Sequence, residues 1–350
     1  MTTTDLAGKA LTVLGPVPGE ALGITLPHEH ILVDITVAFQ EPGSATDRSL
    51  AHAPVGPDNL WWVRYHWACN RDNLQLLDEP TAVTEVQRAY LAGARTIVDP
   101  TNLGLARDPA GLARIARATG LQIVMGSGHY VGLTHPPALA TMSEDAITEE
   151  IVRDVTVGVD DTGVRAGLIG EIGCSWPWTE TEHKVVRAAV QAQRATGAPL
   201  MIHPGRDPAA PMEILNALAK VGADLTRTVM CHIERTVFDW ARVREIAATG
   251  CFLEYDLFGH ESSFYPLGPI DMPNDAQRLD QVFRLAAEGH ARQVLLSHDI
   301  CQKHRLTRYG GHGYHHLLVN VIPQMRRRGA TEADLRTLFV DNPRRAFVFT

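Results

Sequence analysis

Six ionisable side chains stand where short apolar runs of this sequence end: His28 and His30 in "LPHEHILVD", Glu171 in "GEIG", His203 in "MIHPG", His232 in "MCHIE" and Asp299 in "SHDI". If each run is a strand, alternate residues share a face, so His28 and His30 project side by side. An isolated His-x-His is as readily a pair of hydrogen-bonded residues at a strand end as a metal site. Six such groups ending five strands at one height are harder to explain by packing, which needs no ionisable groups there and suffers when they are buried unpaired. Imidazoles and carboxylates are the donors of catalytic metal sites. Three protein ligands and a water suffice for one ion, and six ligands are enough for two ions sharing a carboxylate and a water. His28, His30 and Asp299 would then hold one ion, His203 and His232 the other, and Glu171 would bridge them. Asp299 would also carry the proton from the attacking water to the leaving group. Zinc is the first expectation, and manganese, cobalt or iron suit the same donors.

Eight strands must position these groups: "GITLPHEHIL", "ARTIVDPT", "LQIVMGSG", "AGLIGEIG", "APLMIHPG", "RTVMCHIE", "CFLEYD" and "QVLLSHD". Amphipathic stretches such as "DPAGLARIARATG" and "TETEHKVVRAAVQAQRATG" alternate with them, several closing on a glycine cap at Gly120, Gly197, Gly222 or Gly250. Eight strands alternating with helices predict a (β/α)8 TIM barrel, one domain over residues 1–350, with its site at the C-terminal strand ends. An open doubly wound sheet is the alternative, weakened by the lack of a glycine-rich phosphate loop after the first strand. Long loops follow strands one and eight, roughly residues 35 to 80 and the stretch "CQKHRLTRYGGHGYHH". In the first, Trp61, Trp62, Tyr65 and Trp67 either roof a substrate pocket or pack the excursion onto the rim or an oligomer interface.

Composition limits the partners. Of 350 residues, 45% are hydrophobic, enough for a sizeable core, and the net charge of -8 argues against a nucleic-acid surface. The longest basic run is Arg326 to Arg328, read as a polar helix end. Five widely spaced cysteines without C-x-x-C give neither a disulfide framework nor a zinc ribbon. The start lacks the features of a signal peptide, and no stretch has the ~18 to 20 apolar residues of a membrane span. A cytoplasmic protein acting on a small molecule, with a homodimer as the default assembly, is the expectation.

The motifs "HEH", "IGEIGCSWP", "IHPGR", "LEYDLFG" and "HDICQKHRLTRYGGHGY" together resemble the phosphotriesterase family of the amidohydrolase superfamily, over essentially the whole chain. They are most similar to its phosphotriesterase-related branch, whose animal members are linked to hydrolysis of N-acyltaurine-type amides. The resemblance implies a (β/α)8 barrel with two divalent metals. Many members bridge the metals with a carboxylated lysine where this chain has Glu171, a carboxylate on a shorter stem. Phosphotriesterases and similar lactonases carry a polar His or Arg just after the Asp of strand seven, whereas here Asp256 is followed by Leu257. Tyr130 matches a family tyrosine near the metals and is expected to orient the substrate carbonyl.

Arg206 and Arg235 follow metal-ligand histidines by three residues and either grip an anion or form rim salt bridges, Arg235 with Glu234 for instance. Lys303 and Arg305 are weaker candidates for the same positive pocket. His129 reads as a packed residue, and strand alternation turns His298 and Cys231 away from the site. The expected function is metal-dependent hydrolysis of small N-acyl amides with an anionic tail. The alternatives are a lactonase or organophosphate hydrolase on the same scaffold, and a barrel that binds without turnover.

Overall fold

Each of the eight apolar runs forms a strand in a computed structural model of the chain, which describes residues 6–350; residues 1–5, where the reading of the N-terminus begins, lie outside it. A hairpin, β1 (Lys9–Thr12) and β2 (Gly15–Pro18), comes first, followed by β3 (Thr25–Leu26). The excursion is clipped by an antiparallel pair, β4 (Val33–Asp34) with β5 (Gln75–Leu76). Then come β6 (Thr96–Asp99), β7 (Gln122–Met125), β8 (Ile169–Gly173), β9 (Leu200–His203), β10 (Thr228–Met230), β11 (Phe252–Tyr255) and β12 (Val294–Leu296).

Parallel ladders join β3–β6–β7 and β8 through β12 in chain order. Backbone hydrogen bonds beyond the ladders cross both seams. Gly167 N and Gly170 N donate to Met125 O (2.9 Å) and Ser127 O (2.7 Å), and Asp299 N donates to His28 O (3.1 Å) and His30 N to Ile300 O (3.1 Å). The eight strands therefore form a ring, as a TIM barrel requires.

Alternation along the strands explains why they read as continuous apolar runs. Val98, Val124, Leu168, Met201, Val229, Phe252 and Leu295 pack together in one buried cluster inside the ring. Their neighbours Ile97, Ile123, Ile169, Leu200, Met230, Leu253 and Val294 belong to the larger cluster shared with the helices. A strand covered on both faces has no polar side. Ala10 of the hairpin and Leu22 join the inner cluster from the N-terminal end. Gly167 lets the hairpin come this close, since a Cβ there would lie 1.9 Å from Leu11 O. The hairpin and the β4–β5 clip were not among the expected elements, being too short and mixed in composition to stand out.

Helix Glu180–Thr196 shows how the rim is fixed to this scaffold. Thr179 and Glu182 form a reciprocal capping box, and Gly197 ends the helix in a left-handed conformation. The buried Glu182 carboxylate accepts from Thr179 N (2.7 Å), Ser175 N (2.9 Å), Ser175 Oγ (2.7 Å) and Gly132 N (2.8 Å), joining the loops after β7 and β8. Burial raises its pKa, but these donors outweigh burial and hold it below the usual value. Glu182→Ala is expected to lower the unfolding free energy by roughly 2 to 4 kcal/mol in urea titrations, because four donors lose an ionised acceptor. The group's depressed pKa means its contribution is present above the unfolded value near 4.5 and is lost as pH falls through the folded value. The difference between wild type and variant should therefore shrink below about pH 4.5; a difference constant from pH 6 to 3 would be the contrary result.

Candidate metal centre

Four imidazoles surround one carboxylate at the C-terminal mouth of the ring. Glu171, on β8, places Oε2 3.0 Å from His203 Nδ1, 3.2 Å from His232 Nε2 and 3.6 Å from His28 Nε2, and Oε1 3.8 Å from His30 Nε2. Asp299 Oδ1 lies 3.4 Å from His30 Nε2 and 3.8 Å from His28 Nε2. All six residues expected from the sequence meet here, five of them buried and Asp299 with 16% of its side chain exposed. Burial raises the Glu171 pKa, but the imidazoles, His203 and His28 first, override it and keep the carboxyl well below its ordinary range.

The donor set fits divalent cations. His28 Nε2 is buried and makes no hydrogen bond, although two carboxylate oxygens stand 3.6 and 3.8 Å away. Two donors each about 2 Å from one ion sit roughly 3 to 4 Å from each other. The groupings His28–His30–Asp299 and His28–Glu171–His232 each bring one donor atom per residue within 4.8 Å of the others.

The outward nitrogens of His28, His30 and His232 are held from behind. His28 Nδ1 bonds Glu254 Oε2 (2.9 Å), His30 Nδ1 bonds Thr101 Oγ1 (2.8 Å) and His232 Nδ1 bonds Asp256 Oδ1 (2.8 Å). His203 Nε2 stands 3.3 Å from both Tyr130 Oη and Arg235 Nη2. The acceptors Glu254, Thr101 and Asp256 fix the ring orientation and raise the basicity of the ligating nitrogen, whereas Arg235 can only donate to His203. Glu29, between the two histidines of "HEH", turns away from the site. It accepts from Ser297 Oγ (2.8 Å), His298 Nδ1 (2.5 Å) and His298 N (3.0 Å), stitching the two ligand-bearing loops together.

Sequence reasoning missed these supports. Glu254 and Asp256 carried a signal, because two acids one residue apart on a strand share a face, and Phe252 of that face points into the ring. Glu29 and Thr101 had none.

The alternation argument needs correcting in two places. His28 and His30 do not lie on a strand, since β3 ends at Leu26. Their side-by-side placement, ring centroids 5.4 Å apart, comes from Glu29 and the seam bonds. Cys231 does not face away: it packs with the inner cluster, grouped with His28, Glu254 and Asp256. His232 enters the site only because its backbone turns left-handed (φ 55°), held by Asp256 Oδ2 accepting from its N–H at 2.9 Å. Asp299 is also left-handed (φ 48°). A non-glycine residue there stores about 1 kcal/mol or more, a cost that clusters at functional sites. His298 does turn away, towards Glu29.

A cavity of about 350 Å³ opens above the six groups. Tyr130, Arg206 and Arg235 line it, as do Leu257, Arg64 and Arg305. The Tyr130 ring meets His203 edge-on at 4.8 Å. Arg206 Nε donates to Tyr265 Oη (2.7 Å), and Arg235 Nη2 donates to Pro204 O (3.2 Å). Arg235 forms no rim salt bridge with Glu234, which faces Arg278 at 3.6 Å and accepts from Leu257 N (2.8 Å). Lys303 is withdrawn from the positive pocket by Asp72 at 2.5 Å. The excursion's aromatics divide: Trp67 lines the cavity, Trp62 is buried within the excursion, and Trp61 and Tyr65 are 67% and 57% exposed.

Asp256→Asn tests the support of His232. It keeps the shape but loses the charge that fixes both the ring and the N–H. Divalent-metal affinity is expected to fall by about 10- to 100-fold, read by competition with a chelating dye, with the circular dichroism spectrum unchanged. Unaltered affinity would mean that Asp256 only shapes the backbone.

The chain is similar to known proteins along its length. It is 43% identical over 351 residues to the N-acetyltaurine hydrolase of Rattus norvegicus, covering 99% of each chain. Among solved structures, a resiniferatoxin-binding protein from Rhodobacter sphaeroides superposes with a TM-score of 0.95 at 39% identity, covering 99% of this chain and 98% of that one. The organophosphorus hydrolase from Deinococcus radiodurans reaches a TM-score of 0.75 at 30% identity, covering 97% of each. Residues 8–347 match the description of the phosphotriesterase family, and the chain belongs to that family.

Proposed function

We propose that this protein is a metal-dependent hydrolase of small N-acyl amides bearing an anionic tail, N-acyltaurine-like or N-acyl amino acids. The observation that carries the reading is the joining of Glu171 and its four imidazoles to a cavity walled by Arg64, Arg206, Arg235 and Arg305. The likeness at 43% to a rat N-acetyltaurine hydrolase supports it over the organophosphate reading, whose relative stands at 30%. Leu257 on the cavity wall offers a triester or lactone no polar contact.

His28, His30 and Asp299 would hold one divalent ion, His203 and His232 a second, with Glu171 between them; zinc is the first expectation. Bound there, such ions polarise the acyl oxygen and bring the acidity of water near neutrality. Tyr130, at the edge of His203, directs its hydroxyl to the acyl oxygen. Arg206 and Arg235 add positive charge beside the anionic end, so that the amide carbon is presented to Glu171 and Asp299. The water oxygen bonds to that carbon, Asp299 accepts its proton, and the C–N bond breaks as Asp299 returns the proton to the amine nitrogen. Among the described residues no helix is long and apolar enough to cross a membrane.

Purified protein is expected to hold close to two divalent ions per chain by elemental analysis, and His28→Ala and His203→Ala to hold fewer. Glu171→Gln should lose most activity while remaining folded, since a neutral amide does not balance two cations. Undiminished metal in both histidine variants would sink the site.

Asp299→Asn should lower kcat on the order of a hundredfold or more, the range of general acid-base groups. An effect confined to KM would remove its role in proton transfer.

A substrate panel tests the reading as a whole. N-acyltaurines and N-acyl amino acids should be cleaved by metal-restored protein and not by apo-protein. Lactones or paraoxon-like esters as clearly better substrates would favour the alternative. No turnover of any class, with ligand still bound, would favour a binding protein.

A further inference from the structure

Arg305 stands apart from the other arginines of the cavity. Arg64 donates to Gly310 O at 3.0 Å, and both terminal nitrogens of Arg235 are engaged, with Thr236 Oγ1 (3.0 Å) and with Pro204 O and His203. Arg206 is solvent-exposed and leans on Tyr265. The Arg305 guanidinium makes one hydrogen bond, from Nε to Gln302 Oε1 (2.5 Å). Among the described residues no carboxylate reaches it within salt-bridge distance and its two terminal nitrogens donate to nothing.

Its backbone is nevertheless held on every side. His304 N donates to Asn73 Oδ1 (2.9 Å), and Thr307 N and Arg308 N donate to Glu85 (2.9 Å each). Gly313 N donates to Arg305 O (2.8 Å), and Gly311 lies so close that a Cβ there would sit 2.1 Å from the Arg305 carbonyl carbon. The "YGGHGY" turn thus wraps the residue.

An unpaired cation within a protein wall is costly unless something compensates it. Burial pulls the Arg305 pKa down to about 10, so it is still charged at neutral pH. A loop built this firmly around a guanidinium with free ends is pre-organised for a ligand, and a planar fork suits two oxygens of one acid group.

The geometry points to Arg305 as the principal anchor for the substrate's acid group, a sulfonate or carboxylate. This rests on the reading of the site as a hydrolase of anionic N-acyl amides and adds the residue that selects them. Arg305 thereby joins the loop after β12, which bears Asp299, to substrate choice as well as to chemistry.

The experiment compares metal-loaded wild type with Arg305→Met and Arg305→Lys on N-acetyltaurine, N-acetylglycine and uncharged N-propylacetamide. Arg305→Met is expected to lose about 100-fold in kcat/KM on the charged amides, the worth of a charge-assisted hydrogen bond, and only about threefold on the uncharged one. Arg305→Lys should fall between, keeping charge without the fork. The larger of the two losses identifies the acid, sulfonate or carboxylate. Ethanesulfonate binding, measured by calorimetry, should weaken by a similar factor. The melting temperature of unliganded Arg305→Met should equal or exceed that of wild type, since an unpaired charge has gone. Equal losses on charged and uncharged amides, or unchanged ethanesulfonate binding in the variants, would overturn the assignment. If wild type cleaves none of the three amides, the hydrolase reading fails. Arg305 is then judged by ethanesulfonate alone: weaker binding in both variants upholds the anchor, and no binding by wild type overturns it.

Discussion

Keeping Glu171 ionised at the floor of a cavity is the constraint around which the rest of the molecule is arranged. A buried carboxylate is unstable as an anion unless positive or polarisable groups meet it. Four imidazoles do so, the nearest at 3.0 Å, and they come from three separate segments of chain. No local element brings them together, so the barrel has to. Its inner cluster of apolar side chains packs below the site, and the ring of backbone bonds sets the spacing of the strand ends.

Precision in such a centre depends on the groups behind the ligands. Glu254, Asp256 and Thr101 each fix one imidazole, and Glu29 ties the first ligand loop to the last. These bonds also hold His232 and Asp299 in left-handed conformations that neither residue favours. The strain is local and the compensation is distributed over β11 and the segments that follow β3, β6, β11 and β12. The floor of the site is therefore fixed by bonds from several segments, which suits chemistry that requires donors placed to within a fraction of an ångström.

Selection is built differently, on loops. The excursion after β3 contributes Trp67 and Arg64, and the loop after β12 contributes Arg305. The two loops are bound to each other through Asp72–Lys303 and Asn73–His304, so the wall they make is continuous. Arginines share the cavity lining with Leu257 and Met272, a mixture that suits a substrate with both an acidic and an apolar part. The exposed Trp61 and Tyr65 play no part in that wall.

The sequence alone determined the period of the fold and the identity of the donors. Eight apolar runs, five of them ending in the site's ionisable groups, are legible because a strand buried on both faces cannot hide its composition, and because His and carboxylate in that position have few other uses. Helix caps such as Gly120 and Gly197 were legible for the same local reason. Tertiary structure decided the rest. His28 and His30 sit together through a bond network centred on Glu29, and His232 faces the site through a positive φ that strand alternation contradicts. The fates of Lys303, drawn off by Asp72, and Arg305, left unpaired, depend on which residue some 230 positions away lies opposite. Spacing along the chain carries no information about such contacts, since they depend on how loops fold over a ring that is already closed.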